Sequence, residues 1–164
     1  MNRIKKIIIP IFSFALLTLF DQLTKLWARN SLSSPKVLID GVFELRYVKN
    51  TGAAFGILKG QHWLFYILAV IVLFAAVFCY IKYLSASRFL ILRIIVVFIC
   101  SGIVGNLIDR VRFGFVTDFF YISLIDFPVF NVADIYISWS MVLLIILLLF
   151  KYKDTDFKPE KNVD

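Results

Sequence analysis

The residues able to do chemistry stand out against an apolar chain: 61% of the sequence is hydrophobic and only 18% is charged. Six ionisable side chains fall at the ends of uncharged runs: Asp21, Lys25, Asp109, Arg110, Asp118 and Asp134. An ionisable group beside hydrocarbon is costly unless it faces protein or water, so a shared polar site is the default reading. The plainer alternative is local pairing. Asp21 and Lys25, four apart, share a helix face, and Asp109 beside Arg110 or Arg112 could serve as a headgroup anchor. Asp118 and Asp134 resist it. Asp118 lies in VTDFF, with no basic neighbour closer than Arg112. Asp134 lies in FNVADIYI, where Asn131 caps a helix and Asp134 becomes its third residue, a position at which free N–H groups and the helix dipole favour a carboxylate. If the two carboxyls approach within hydrogen-bonding range, both cannot ionise; one proton is shared, giving a general acid and a general base. Rival catalysts are missing. His62 is the sole histidine, neither Cys79 nor Cys100 lies near a candidate base, the sequence places no lysine or histidine as partner for a serine, and no metal-ligand spacing occurs.

These residues must be positioned by helices that cross a membrane. No charge occurs between Lys6 and Asp21, His62 and Ile81, Ile94 and Ile108, or Ile135 and Phe150. A helix needs about 20 mostly apolar residues to cross hydrocarbon. The expected fold is an all-α membrane protein of four transmembrane helices with a small extracytoplasmic β-containing loop domain. The spans cover about 6–28, 61–81, 89–108 and 132–150 within a 1–153 transmembrane domain; loops 29–60 and 109–131 lie outside, and 154–164 is a flexible cytoplasmic tail. The apolar runs are continuous, unlike the alternating strands of a membrane barrel. The net charge of +7 comes from residues that flank spans, which suits anionic headgroups better than nucleic acid. Cys79 and Cys100 fall inside spans and read as small buried hydrophobes. The basic start and apolar run of MNRIKKIIIPIFSFALLTLF resemble a signal peptide, but DQLTK stands where a cleavage site belongs, so this is read as an uncleaved first span.

The basic residues Arg3, Lys5 and Lys6 place the N-terminus in the cytoplasm. Lys82, Arg88, Arg93, Lys151 and Lys153 put the 82–88 link and the tail there too. Between the first two spans, GVFELRYVKN has strand character, with Phe43, Leu45 and Tyr47 on one face and Glu44 and Arg46 on the other. NTGAAFG after it suits a turn or a close backbone approach. GFVTDFFYISLIDFPVF is too interrupted to cross and is expected to lie along the membrane surface, with Asp126 keeping it at the interface.

Four blocks then carry a resemblance: DQLTK at 21–25, NTGAAFG at 50–56, GNLIDRVRFGFVTDF at 105–119 and FPVFNVADIYI at 127–137. In order and spacing they resemble the lipoprotein signal peptidases (signal peptidase type II). The resemblance implies a bacterial aspartic endopeptidase that removes the signal peptide of prolipoproteins, cutting just before a diacylglyceryl-modified cysteine. By motif it puts the catalytic pair on Asp118 and Asp134, and the lining or bracing residues on Asp21, Lys25, Asn50, Asn106, Arg110 and Asn131. It implies no cofactor and no metal. Its partners are diacylglyceryl-modified prolipoproteins and membrane lipids, with no nucleic acid, and the chain is expected to act as a monomer. The setting is the bacterial cytoplasmic membrane, with both termini cytoplasmic and the active site near the extracytoplasmic face. Two departures are visible: Ser101 where glycine is usual, and Thr117 where valine or isoleucine usually precedes the first aspartate. Thr117 can add a hydrogen bond beside Asp118 and shift its pKa.

Two other classes compete. A proton-coupled transporter would place its charges near mid-membrane on broken, repeated helices, unlike the clustering here. A non-enzymatic membrane assembly or structural subunit would tolerate replacement of Asp118 or Asp134.

Overall fold

The computed structural model describes residues 5–52, 61–84 and 86–157. Arg3, residues 53–56 of the NTGAAFG block and the tail beyond Phe157 therefore lie outside the described residues. Among those described, the chain forms four long helices, α1 (Lys5–Ser31), α2 (His62–Tyr83), α3 (Leu90–Phe113) and α4 (Val132–Phe150). It also forms a three-stranded antiparallel sheet of β1 (Lys36–Ile39), β2 (Phe43–Asn50) and β3 (Val116–Tyr121), in the order β1-β2-β3. All four helices are long and apolar enough to cross a membrane. The chain is thus an all-α membrane protein with a small β-containing loop region. The large apolar side chains of α2 point outward almost throughout, as a lipid-facing helix requires.

α3 is the centre of the bundle, packed against the other three helices. Its sequence explains this. Ser101, Gly102 and Gly105 give it a face with almost no side-chain bulk, and backbones can approach there. A Cβ at Gly102 would meet the Ala133 carbonyl oxygen of α4 at 2.5 Å, and one at Gly105 would collide with the Asp21 carboxylate of α1. The Ser101 hydroxyl is held against its own helix, donating back to the Val97 carbonyl at 2.8 Å. α3 continues through DRVR and stops at Gly114, whose left-handed φ of 75° suits glycine and turns the chain into β3.

β3 corrects the reading of 114–130 as a surface segment for its first part only, since Leu124, Ile125 and Phe127 further on are exposed. Val116, Thr117, Asp118 and Phe119 are all buried, so VTDFFY is covered on both faces and shows no period-two alternation. Its register on β2 slips between Leu45 and Val48, which leaves a bulge next to the Val48↔Asp118 pair. β2 behaves as its pattern predicts: Leu45 is buried with Phe43 and Tyr47 in a cluster around Ala28, Leu32, Phe119 and Val132, while Glu44 and Arg46 pair at 2.8 Å. At the opposite end of the bundle Leu84, Phe89, Leu92 and Tyr152 form a second cluster, and Phe157 of a short 3₁₀ turn stacks on Phe89 at 5.2 Å. Cys100 is buried as expected, but Cys79 is exposed because it sits on an outward face of α2.

Candidate active site

α4 begins with a local device. Asn131 Oδ1 accepts the Asp134 N–H at 3.1 Å, and Asp134 Oδ2 accepts the Asn131 N–H at 3.1 Å, a reciprocal capping box. This fixes the Asp134 carboxyl at the helix start. Its other oxygen accepts from Asn106 Nδ2 of α3 at 2.8 Å. Asp118 projects from β3 toward the same place. Its Oδ1 accepts from Asn131 Nδ2 at 2.6 Å and its Oδ2 from Asn50 Nδ2 of β2 at 2.8 Å. Each carboxylate therefore has two donors from two different segments, and Asn131 supplies one to each.

The hydrogen bonds described for the two carboxyls all come from amide N–H groups, and these amides are themselves linked: Asn131 Nδ2 also lies 3.2 Å from Asn106 Oδ1. Their coupling is through space. Burial first, and then the Asp134 charge, push the pKa of Asp118 up to about 7, while the Asn50 and Asn131 amides and the Lys25 charge pull the other way. Thr117 is not among these causes; its hydrogen bond is made to Arg29, on the side away from Asp118.

Behind the amides lies a buried ionic layer. Lys25, fully buried, donates to Asn106 Oδ1 at 2.7 Å and pairs with Asp21 Oδ2 at 3.0 Å. This fixes the Asn106 amide, since its oxygen faces Lys25 and its NH₂ must face Asp134. Asp21 in turn accepts the free Ala133 N–H of α4 at 3.0 Å. The Asp21–Lys25 pair is therefore no self-contained helix pair. Nor is Asp109 a headgroup anchor: it is fully buried, lies 3.5 Å from Arg29 Nη1, and accepts the Thr117 N–H at 2.8 Å.

A cleft of about 730 Å³ opens over the carboxylates. Asn50, Asn106, Arg110, Asp118 and Asp134 line it, whereas Asp21, Lys25 and Asn131 support it from behind. Arg110 sits over the Phe65 ring at 4.4 Å with Nη2 3.4 Å from the Gly52 carbonyl, leaving the guanidinium at the cleft wall. Phe127, Pro128, Val129 and Phe130 form one apolar side, and Ile135, Ser138 and Trp139 carry the lining down α4. Asp126 stays out of the site, bound at the surface by the Tyr121 hydroxyl at 2.6 Å. Sequence reasoning passes over Phe65, Ser138 and Arg29. Helical spacing contains a signal for two of them, because Ser138 is four residues from Asp134 and Arg29 four from Lys25. Phe65 has none. Among the described residues no three His, Cys, Asp or Glu side chains assemble as a metal-ligand set.

Two carboxyls braced by amides over one cleft, Asp118 buried and Asp134 half-buried, can divide the work of acid and base in hydrolysis. Comparison with known proteins agrees with that chemistry. A family profile described as Signal peptidase (SPase) II matches residues 13–150. The lipoprotein signal peptidase of Streptococcus thermophilus is 44% identical over 146 residues, spanning 88% of this chain and 94% of that protein. That of Streptococcus agalactiae is 40% identical over 146 residues, spanning 88% and 93%. A solved structure described as a bacterial membrane enzyme, obtained by the in meso method, superposes with a TM-score of 0.80 at 34% identity and covers 96% of both chains. With matches of this extent over all four helices and both aspartates, the chain belongs to the signal peptidase II family.

Proposed function

We propose that the chain is the aspartic endopeptidase that removes signal peptides from diacylglyceryl-modified bacterial prolipoproteins, cutting immediately before the lipid-modified cysteine, with Asp118 and Asp134 as its catalytic pair. The observation that carries this is the paired bracing of two carboxyls on different elements over one mostly apolar cleft. Amide hydrolysis is slow because water is a poor nucleophile and the tetrahedral oxyanion is unstable. Asp134, at the dipole-favoured start of α4, takes a proton from water attacking the scissile carbonyl. Asp118 holds the resting proton, favoured by its burial and by the Asp134 charge, and donates it to the carbonyl oxygen. As the tetrahedral gem-diol collapses and the C–N bond breaks, Asp134 gives its proton to the leaving amine and Asp118 takes one back from a gem-diol hydroxyl, which restores the resting state. Asn50 and Asn106 keep the carboxyls at their stations, and Arg110 offers guanidinium donors to substrate backbone carbonyls.

The bilayer supplies the substrate. The cleft descends along α4 past Ile135 and Trp139, so a signal helix and its acyl chains enter from the lipid side. Each CH₂ withdrawn from water contributes about 0.8 kcal/mol. Basic residues at the chain start, the 82–88 link and Lys151 and Lys153 put both termini in the cytoplasm and the active site near the extracytoplasmic face. Residues 1–153 form the peptidase unit, with 154–164 as a cytoplasmic tail. The enzyme is proposed to act as a monomer.

The test is cleavage of one prolipoprotein in two forms by the purified chain. The diacylglyceryl-modified form is expected to be cut before its cysteine and the unmodified form to be cut poorly. Equal cleavage of both would refute the lipid requirement, and no cleavage of either by folded protein would refute the activity.

A further inference from the structure

Asp21, Lys25 and Arg29 recur every four residues along one face of α1. The first two support Asn106 and the start of α4. Arg29 reaches β3. Its Nη1 donates to Thr117 Oγ1 at 2.9 Å and lies 3.5 Å from Asp109 Oδ1, while Asp109 Oδ2 accepts the Thr117 N–H at 2.8 Å. The Phe113 ring lies 4.6 Å below the guanidinium carbon. Asp109 and Thr117 are both fully buried. Residue 117 is thus gripped twice, at its amide and at its hydroxyl, from the side away from the cleft.

Successive strand side chains point to opposite faces, so this grip aims the next residue, Asp118, at Asn50 and Asn131. The sheet alone aims it less firmly. β2 slips register between Leu45 and Val48, immediately beside the Val48↔Asp118 pair, and a bulge loosens the ladder where it occurs. We infer that Arg29 is a positioning residue for the hydrolysis: acting through Thr117 and Asp109, it fixes the strand that carries Asp118 relative to Asp134. This rests on Asp118 being one of the catalytic pair.

The test measures kcat and KM of the full chain in lipid nanodiscs on a diacylglyceryl-modified prolipoprotein, with thermal unfolding of each variant. The variants are Thr117→Val, Arg29→Met, the two combined, and Arg29→Lys. Thr117→Val keeps the shape and deletes the hydroxyl. It is expected to lower kcat about three- to tenfold while KM and the unfolding temperature stay near wild type. The double variant should be no slower than Arg29→Met, because both changes break one contact. Arg29→Lys should recover part of the loss, since an ammonium can serve Thr117 or Asp109 but not both in the same geometry. Wild-type kcat in Thr117→Val, losses that multiply in the double variant, or a change confined to KM would overturn the role of Arg29 alone. An inactive, folded wild type would overturn this role together with the peptidase reading.

Discussion

Replacing Lys25 by Met removes an ammonium with no exposure to solvent and leaves behind Asp21 at 3.0 Å, Asp109 at 3.9 Å and the Asn106 amide oxygen at 2.7 Å. Met has a similar length and fills irregular space well, so little packing is lost. Asp21 stays fully buried, with the Ala133 N–H at 3.0 Å and the Gln22 amide at 3.1 Å as donors but without the cation now 3.0 Å away. Breaking a buried pair from one side costs about 3–5 kcal/mol. Changing both members, Asp21→Asn with Lys25→Met, removes both charges, and the substituted amide oxygen would still accept the Ala133 N–H. Part of the lost stability should therefore return, because Asp109 and the Asn106 amide oxygen still lack the ammonium, with a coupling energy inside the range of about 0.5–3 kcal/mol seen for neighbouring residues. The assay is equilibrium unfolding in mixed micelles with rising SDS, followed by circular dichroism for wild type, both single variants and the double. A Lys25→Met protein as stable as wild type, or a double variant no better than Lys25→Met, would refute the buried pair.

Two further outcomes follow from the site. Asp118 must carry its proton to act as the acid, and with a pKa of about 7 its protonated share falls from about nine-tenths at pH 6 to about one-tenth at pH 8. The profile of kcat/KM should accordingly decline on the alkaline side from about pH 7; a flat profile between pH 6 and 9 would contradict the assignment. Asn131→Ala deletes the 2.6 Å donor to Asp118 and the cap of α4 together. It should lower stability by about 1 kcal/mol and kcat by about 10- to 100-fold, read by thermal unfolding and by single-turnover cleavage.

Features set by a few adjacent residues are legible in the sequence. The uncharged runs mark the four helices because hydrocarbon tolerates nothing else over that length. The Asn131–Asp134 box is legible because both partners lie within one helical turn. The strand β3 is not, since VTDFFY is buried on both faces and its apolar run matches a membrane-surface segment equally well. Asp109 misleads for a related reason: its neighbours Arg110 and Arg112 suggest pairing along the helix, whereas its partners are Arg29 and the Thr117 amide from other elements. Cys79 and Cys100 look alike in sequence and differ only by which side of a helix meets protein. The bracing of Asp118 by Asn50 and Asn131 requires three segments to converge, and the order of motifs along the chain carries no information about that distance.

The central claim is that one reaction needs both Asp118 and Asp134. The direct measurement is cleavage of a diacylglyceryl-modified prolipoprotein by Asp118→Asn and Asp134→Asn at matched amounts of folded protein, with substrate binding measured in parallel. Asparagine keeps the shape of each carboxyl and removes its proton chemistry. Turnover should be lost in both variants while substrate binding persists. Wild-type turnover in either one would contradict the pair.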